Sequence, residues 1–260
     1  MFIDPRSLAQ DHARLEQIEK ASLRLVTQAI FDFRETAAEI FANEPDLVQD
    51  FGEDITREAL DRMGVSRIDQ RLFGKIDYKR ARYLFHPEFA ARQALFVDSK
   101  AEKVAGASTA TIQTAQTSLR IMHVRANQPV DVEGKLPTVW DTPQGALLTT
   151  TIFVKYNYRV VDLATGQADE GEGNEEAETT ETETSGTNQL VNITIASLPN
   201  GMLQGLYNPS PTDTIWRAGR NAPTLGEAFR VRLVFALLKQ KAPWRVQMIQ
   251  MAPTPFAWDE

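Results

Sequence analysis

Asp98-Ser99-Lys100 is the triplet whose residue types and spacing can do chemistry. It closes an apolar, β-leaning run, Ala94-Leu95-Phe96-Val97. On a strand, residues two apart share a face, so Asp98 and Lys100 point the same way. Upstream, Lys75 to Phe85 alternates as a strand and carries Asp77. His86-Pro87 separates the two runs as a turn, because a proline drives its predecessor out of helical space. Paired side by side, these strands would set Asp77 next to Asp98 and Lys100. Two carboxylates and an amine at the end of a sheet can hold Mg and activate a water. Mg takes hard oxygens in near-octahedral geometry, which Asp77, Asp98, the Ser99 carbonyl and phosphate oxygens would supply. Such a metal lowers the pKa of bound water and neutralises charge on a cleaving phosphodiester. Lys100 would orient or deprotonate that water and offset developing charge. The plainer reading is a surface strand with one Asp–Lys ion pair.

The elements that must position this triplet follow from periodicity. Asp11 to Ala42 is predicted as a long helix, its apolar residues from Leu15 to Phe41 falling near a 3.6 period until Asn43-Glu44-Pro45 stops it. A second helix is expected from Asp54, as N-cap, to Met63, ended by Gly64. Glu53 and Glu58 lie on or beside it, near enough in sequence order to reach a metal site or simply to face solvent. Ala101 to Leu119, small and polar, is compatible with a helix; Ala126 to Gly145, with Pro129, Pro137 and Pro143, reads as loop. Thr149 to Leu163 is a strand with Ile152, Val154, Tyr156, Tyr158 and Val160 on one face and Lys155, Asn157 and Arg159 on the other. Gln189 to Leu198 returns as its partner. Phe229 to Phe235 is a strand with Arg230 and Arg232 on one face, and Pro243 to Ile249 is the last strand.

Length and composition bound the answer. A chain of 260 residues, 42% apolar, can bury a full core; a single domain over 1–260 is expected. There is no apolar run long enough for a transmembrane helix, no signal-peptide pattern and no cysteine, which together suggest a cytoplasmic chain. Three scattered histidines carry no HExxH spacing, and neither a Walker loop nor a GxSxG elbow is present. Taken alone, the net charge of −7 argues against nucleic acid, but its distribution does not. Eight acidic residues and no Lys or Arg lie between Gln167 and Thr187, a low-complexity tract (167–187) expected to be a disordered hairpin insertion. The remainder is near neutral, with basic groups at Lys75, Lys79, Arg80 and Arg82 and at Arg217, Arg220, Arg230, Arg232 and Arg245. That pattern is compatible with DNA. Arginines alternating on a strand can present bidentate donors to guanine in register.

In order along the chain, Glu53-Asp54-Ile55-Thr56, Ile76-Asp77-Tyr78-Lys79-Arg80, Val97-Asp98-Ser99-Lys100-Ala101, Ile152-Phe153-Val154, Ser197-Leu198-Pro199, Tyr207-Asn208-Pro209, Arg230-Val231-Arg232 and Pro243-Trp244-Arg245 resemble the PD-(D/E)XK superfamily of type II restriction endonucleases. Within it, the closer similarity is to the SfiI group and the more distant to the BglI group. The resemblance implies an α/β (α+β) fold, a mixed central sheet flanked by helices. It implies Asp77 and Asp98 as Mg ligands, Lys100 as the residue positioning the attacking water, Arg230 and Arg232 as readers of G·C pairs, and Arg220 and Asn221 as a second DNA-contacting stretch. It further implies a homodimer or homotetramer on double-stranded DNA, an interrupted G·C-rich palindrome as target, and 3′ overhangs. The chain departs from the pattern at Ile76, where proline is usual, at Arg220-Asn221, where a lysine-led sequence is expected, and in the acidic insertion. Two other classes compete: a structure-directed repair or recombination nuclease of the same superfamily, and a non-catalytic DNA-binding protein.

Overall fold

A computed structural model describes residues 2–43, 48–64, 81–162, 186–219, 229–252 and 255–260. Helices α1 (His12–Asn43) and α2 (Val48–Arg62) precede the first strand pair, β1 (Arg82–His86) and β2 (Ala91–Lys103). Then come β3 (Thr109–Gln113), the hairpin β4 (Ile121–Arg125) and β5 (Gln128–Val132), β6 (Val139–Thr142), and the long hairpin β7 (Gly145–Asp162) and β8 (Gly186–Leu198). The chain ends through α3 (Gln204–Tyr207), β9 (Trp216–Ala218), β10 (Arg230–Val234), α4 (Phe235–Lys241) and β11 (Val246–Gln250). Among the described residues no helix is long and apolar enough to cross a membrane.

The central sheet runs β1-β2-β7-β8-β11, with β6 beside the start of β7. It is mixed: β2 and β7 are parallel, the other pairs antiparallel. Helices α1 and α2 cover one face, burying Val26, Ile30, Phe33 and Ile55 against Ile152, Val154, Tyr156 and Ile195. The opposite face meets a second, three-stranded sheet, β3-β10-β9, in a core that includes Phe153, Trp216, Val231 and Leu233. Strand β7 is therefore covered on both sides, and Thr150 to Tyr156 are all buried, as expected for a strand sandwiched between two layers. The mixed sheet flanked by helices is the expected fold class.

Several local expectations need correction. Helix α2 begins at Val48, not Asp54. Its apolar stripe (Phe51, Ile55, Ala59) already starts before Asp54, which lies inside the helix and pairs with Arg57. Ala101 to Leu119 forms no α-helix; it completes β2 and forms β3, with single 3-10 turns at Val104–Gly106 and Thr114–Gln116. Thr-Ala-Thr-Ile-Gln alternates, burying Ala110 and Ile112 and turning Thr109, Thr111 and Gln113 the other way. The stretch 126–145 holds β5 and β6, with a tight hairpin at Ala126 and Asn127, both at positive φ. Of the acidic tract, Gly186 and Thr187 open β8; the rest lies outside the described residues. Two arginines counted with the basic groups are structural. Arg82 is buried and pairs with Asp61 at 2.6 Å.

The other, Arg245, is fully buried and donates to Glu19 of α1 at 2.6 Å. The guanidinium lies 4.3 Å from the ring centroids of both Tyr207 and Trp244. Glu19 also accepts the backbone N–H of Asn200 at 2.8 Å, and the Asn200 amide donates to the carbonyls of Thr138 and Thr149 at 3.0 and 2.8 Å. One ion pair thus joins α1, the end of β8 and the start of β7. Arg245→Met is expected to destabilise by about 3–5 kcal/mol, the cost of stranding a buried charge. Burial raises the Glu19 pKa above its ordinary 4.5, with Arg245 opposing. A raised carboxyl contributes stability that is fully present below 4.5 and lost as pH rises through the raised value. The variant should therefore regain melting temperature on acidification toward 4.5; a melting curve like the wild type's at neutral pH would contradict the role given to the pair.

Candidate active site

Strand β2 sorts its side chains by parity. Leu95, Val97 and Ala101 pack on the helices, while Ala94 and Phe96 face the other way with Leu136 and Leu147. Asp98 and Lys100 continue that second face, as the period of two requires. Asp98 is half-buried, with Phe153 of β7 as its register partner. The Lys100 ammonium donates to the carbonyl of Thr111 at 3.0 Å and sits 6.0 Å from the Phe153 ring centroid. Ser99 turns to the helices instead. Its hydroxyl donates to Thr56 Oγ1 at 2.8 Å, and Thr56 shares a 2.9 Å hydrogen bond with the Tyr156 hydroxyl, whose pKa burial pushes up. Only the backbone carbonyl of Ser99 could serve a metal.

A helix also fixes Lys100 from behind. A Cβ on Gly52 of α2 would lie 3.2 Å from the carbonyl carbon of Lys100 and 3.3 Å from the nitrogen of Ala101. Glycine inside a helix costs about 1 kcal/mol relative to alanine; here its missing side chain lets α2 rest on the strand backbone at the site.

Strand β1 runs antiparallel to β2, with Arg82 opposite Leu95 and His86 opposite Ala91. The chain therefore arrives at β1 from the Asp98 end of β2. Asp77 itself, with Lys75, Lys79 and Arg80, lies outside the described residues, as do Arg220 and Asn221. Among the described residues no group of three or more His, Cys, Asp or Glu could hold a metal. What they do provide, the Asp98 carboxylate and the neighbouring backbone carbonyls, is a hard-oxygen donor set that fits Mg.

The second sheet bears the arginines. Val231 and Leu233 point into the core, fully buried, and Arg230 and Arg232 point the other way. Strand β10 is the middle strand of its sheet rather than an edge. Across the ladder, Arg230 stands opposite Gln113, and Arg232 lies between Thr111 and Arg217. Parity puts Gln113, Thr111 and Arg217 on the same face as the two arginines. Arg217 was already among the basic groups of the sequence; that Gln113 and Thr111 share its face was not apparent there, although the alternation in Thr109 to Gln113 was the available signal. The histidines do other work. His86 Nε2 is 3.1 Å from the Ser22 hydroxyl, its pKa lowered by burial, and His123 is buried beside Phe229.

A carboxylate and a lysine two residues apart on one face of a mixed central sheet, beside a second sheet that carries paired arginines, is an arrangement compatible with a restriction-endonuclease architecture. Solved structures agree. The chain is similar to the tetrameric restriction endonuclease SfiI bound to cognate DNA (TM-score 0.75, 30% identity, 98% of this chain and 90% of that one). It shares its fold with the restriction endonuclease BglI bound to its DNA recognition sequence (TM-score 0.72, 17% identity, 95% of this chain and 94% of that one). The type II restriction enzyme SfiI of Streptomyces fimbriatus is 32% identical over 256 residues, 95% of this chain and 87% of the relative. The family described as Type II restriction enzyme SfiI matches residues 28–172 and 177–249. The chain belongs to the SfiI family of type II restriction enzymes.

Gly52→Val should press on the strand that holds Lys100. A loss of about 1–3 kcal/mol is expected, as for other overpacked cores, together with slower DNA cleavage by the folded fraction. Unchanged melting and unchanged cutting would show that the contact at Lys100 is slack.

Proposed function

We propose that the chain is a Mg-dependent endonuclease that hydrolyses both strands of double-stranded DNA at an interrupted G·C-rich palindrome. It would act as a homodimer or homotetramer in the cytoplasm and leave 3′ overhangs. The observation that carries the reading is one contact: Lys100, sharing its face with Asp98, reaches Thr111, the cross-strand partner of Arg232. The cutting strand and the arginine-bearing sheet are thereby adjacent. The two structures to which the chain is similar are each described with bound DNA, and that of SfiI as a tetramer.

Each residue has a distinct task in this reading. Asp77, Asp98 and the Ser99 carbonyl would hold Mg. When bound, Mg would supply Lewis-acid neutralisation of charge at the scissile phosphate. Lys100 would hold the attacking water in line with the phosphorus and offset the charge that develops there. Arg230 and Arg232, kept parallel by the sheet, would each donate two hydrogen bonds to a guanine edge. Arg220 and Asn221 would add a second stretch of DNA contacts. Symmetry of the oligomer would match symmetry of the site.

The test is digestion of a fully sequenced plasmid, with Mg or with EDTA, followed by sequencing of the ends. Discrete Mg-dependent fragments with common 3′-extended ends are expected. Smears, or cleavage confined to junctions and flaps, would favour a structure-directed nuclease, and inert DNA a binding protein. Asp77→Ala, Asp98→Ala and Lys100→Ala should each slow cleavage by at least about a hundredfold, the scale of a lost transition-state contact, and leave binding intact. Undiminished cutting by either aspartate variant removes the metal site. Arg230→Ala or Arg232→Ala should weaken cognate binding by about 1–3 kcal/mol per lost base contact. An unaltered preference for cognate over random DNA rules out the pair as readers.

A further inference from the structure

Lys155 belongs neither to the metal site nor to the arginine face. It lies midway along β7 with its side chain wholly buried, directly beside Lys100 in the parallel ladder. A buried ammonium is costly unless acceptors surround it. This one donates to the carbonyls of Gly106 at 2.7 Å and Thr109 at 2.6 Å, and pairs with the Glu102 carboxylate.

The identity of the acceptors is informative. Strand β3 is the edge of its sheet, paired only with β10. The Ser108 carbonyl and the Thr114 N–H bond to Phe235 and Phe229, the residues flanking β10. Even-numbered backbone groups of β3 therefore face β10, and the carbonyls of Thr109 and Thr111 face away from it. Those open carbonyls receive two lysines from adjacent strands of the central sheet, Thr109 from Lys155 and Thr111 from Lys100. The central sheet and the arginine-bearing sheet are joined here by lysine ammoniums in place of a backbone ladder, opposite Val234 and Arg232 of β10.

We propose that Lys155 is a positioning residue that holds the base-reading sheet on the catalytic strand, so that a correct fit at Arg232 is transmitted to Lys100. The proposal rests on the assignment of Lys100 as the residue that handles the water. Lys100 has two claims on its ammonium, the Thr111 carbonyl and that water. With Lys155 keeping β3 in place through Thr109, Lys100 can leave Thr111 for the water without the sheets parting. Without Lys155, Lys100 is drawn into the structural task, and a mismatch under Arg232 no longer moves the catalytic strand.

The experiment compares wild type, Lys155→Met and the double variant Lys155→Met/Glu102→Gln, which also removes the partner charge. Folded fraction and melting are measured first. Then cognate affinity, the single-turnover cleavage rate at saturating DNA with Mg, and the ratio of rates on cognate sites and on sites with one base pair altered are determined. Cognate affinity should stay within about threefold while the single-turnover rate falls about 10- to 100-fold, the scale of a misplaced catalytic group. Discrimination should fall about tenfold, the scale of one base contact. A purely structural lysine would lower melting and leave both rate and discrimination per folded molecule unchanged, which overturns the proposal. Failure of both variants to fold makes Lys155 a folding residue and overturns it equally. A wild-type protein that does not cut DNA would sink the catalytic assignment itself, a result distinct from wild-type cutting with an indifferent Lys155.

Discussion

Strand β7 has no solvent face along its central stretch, and much else follows from that. A buried polar group must be answered by the protein, and β7 carries several on either side of its apolar centre Ile152-Phe153-Val154. Thr150 donates to Gln93 of β2, which also accepts from Ser22 of α1. Tyr156 bonds Thr56 of α2, which in turn takes the Ser99 hydroxyl. Asn157 donates to Asn192 and Thr194 of β8 at 2.7 and 3.3 Å. Lys155 finds its acceptors ahead of and within β3. Each bond is worth about 1 kcal/mol net, so none explains stability alone. Their effect is register. A slip of β2 by one residue against β7 would exchange its faces and strand these groups together. Asp98 and Lys100 are aimed by that penalty.

The parts of this arrangement that were legible in the sequence are those that depend on period alone. Helix α1, the strands through Ala94 to Lys100 and Arg230 to Val234, and the β7–β8 hairpin all announce themselves by spacing, as does the sharing of a face by Asp98 and Lys100. Whether a face is covered was not legible. The Lys155, Asn157, Arg159 face looked like the polar side of an ordinary strand. The groups that meet Lys155 (Glu102, Gly106 and Thr109) and Asn157 (Asn192 and Thr194) lie tens of positions away in the chain. Ala101 to Leu119 misled for a related reason. Its small residues have no decisive propensity, and only packing against Val231 and Leu233 selects the strand. Arg82 and Arg245 show the same limit for charge, since a count of arginines cannot tell a guanidinium aimed at phosphate from one locked on Asp61 or Glu19.

The net charge of −7 carries little weight for the same reason. Electrostatic attraction to a polyanion is decided locally, within about 10 Å at ordinary salt. The basic face of the second sheet gathers Arg217, Arg230 and Arg232 on adjacent strands. Like charges opposite one another on a sheet are unfavourable, a cost that DNA would offset if this face reads it as proposed. Elsewhere on the surface, Arg120 pairs with Asp131 and Arg62 with Glu58.

The joint between the two sheets, with the roles proposed for it, would also account for lysine at positions 100 and 155. A continuous ladder between β2 or β7 and β3 would fix the sheets through many backbone bonds and leave no group to spare for chemistry. An arginine would span the same gap, but its planar fork is committed to one geometry and its charge is permanent. A lysine ammonium is a compact point donor on a flexible stem, able to trade one oxygen for another at little cost. The half-buried Lys100 can exchange a carbonyl for a water, while the wholly buried Lys155, held by two carbonyls and a carboxylate, cannot do so without leaving charge unmatched. In the proposed scheme the same side chain would supply a movable group at one position and a fixed one at the next strand, with burial deciding which is which.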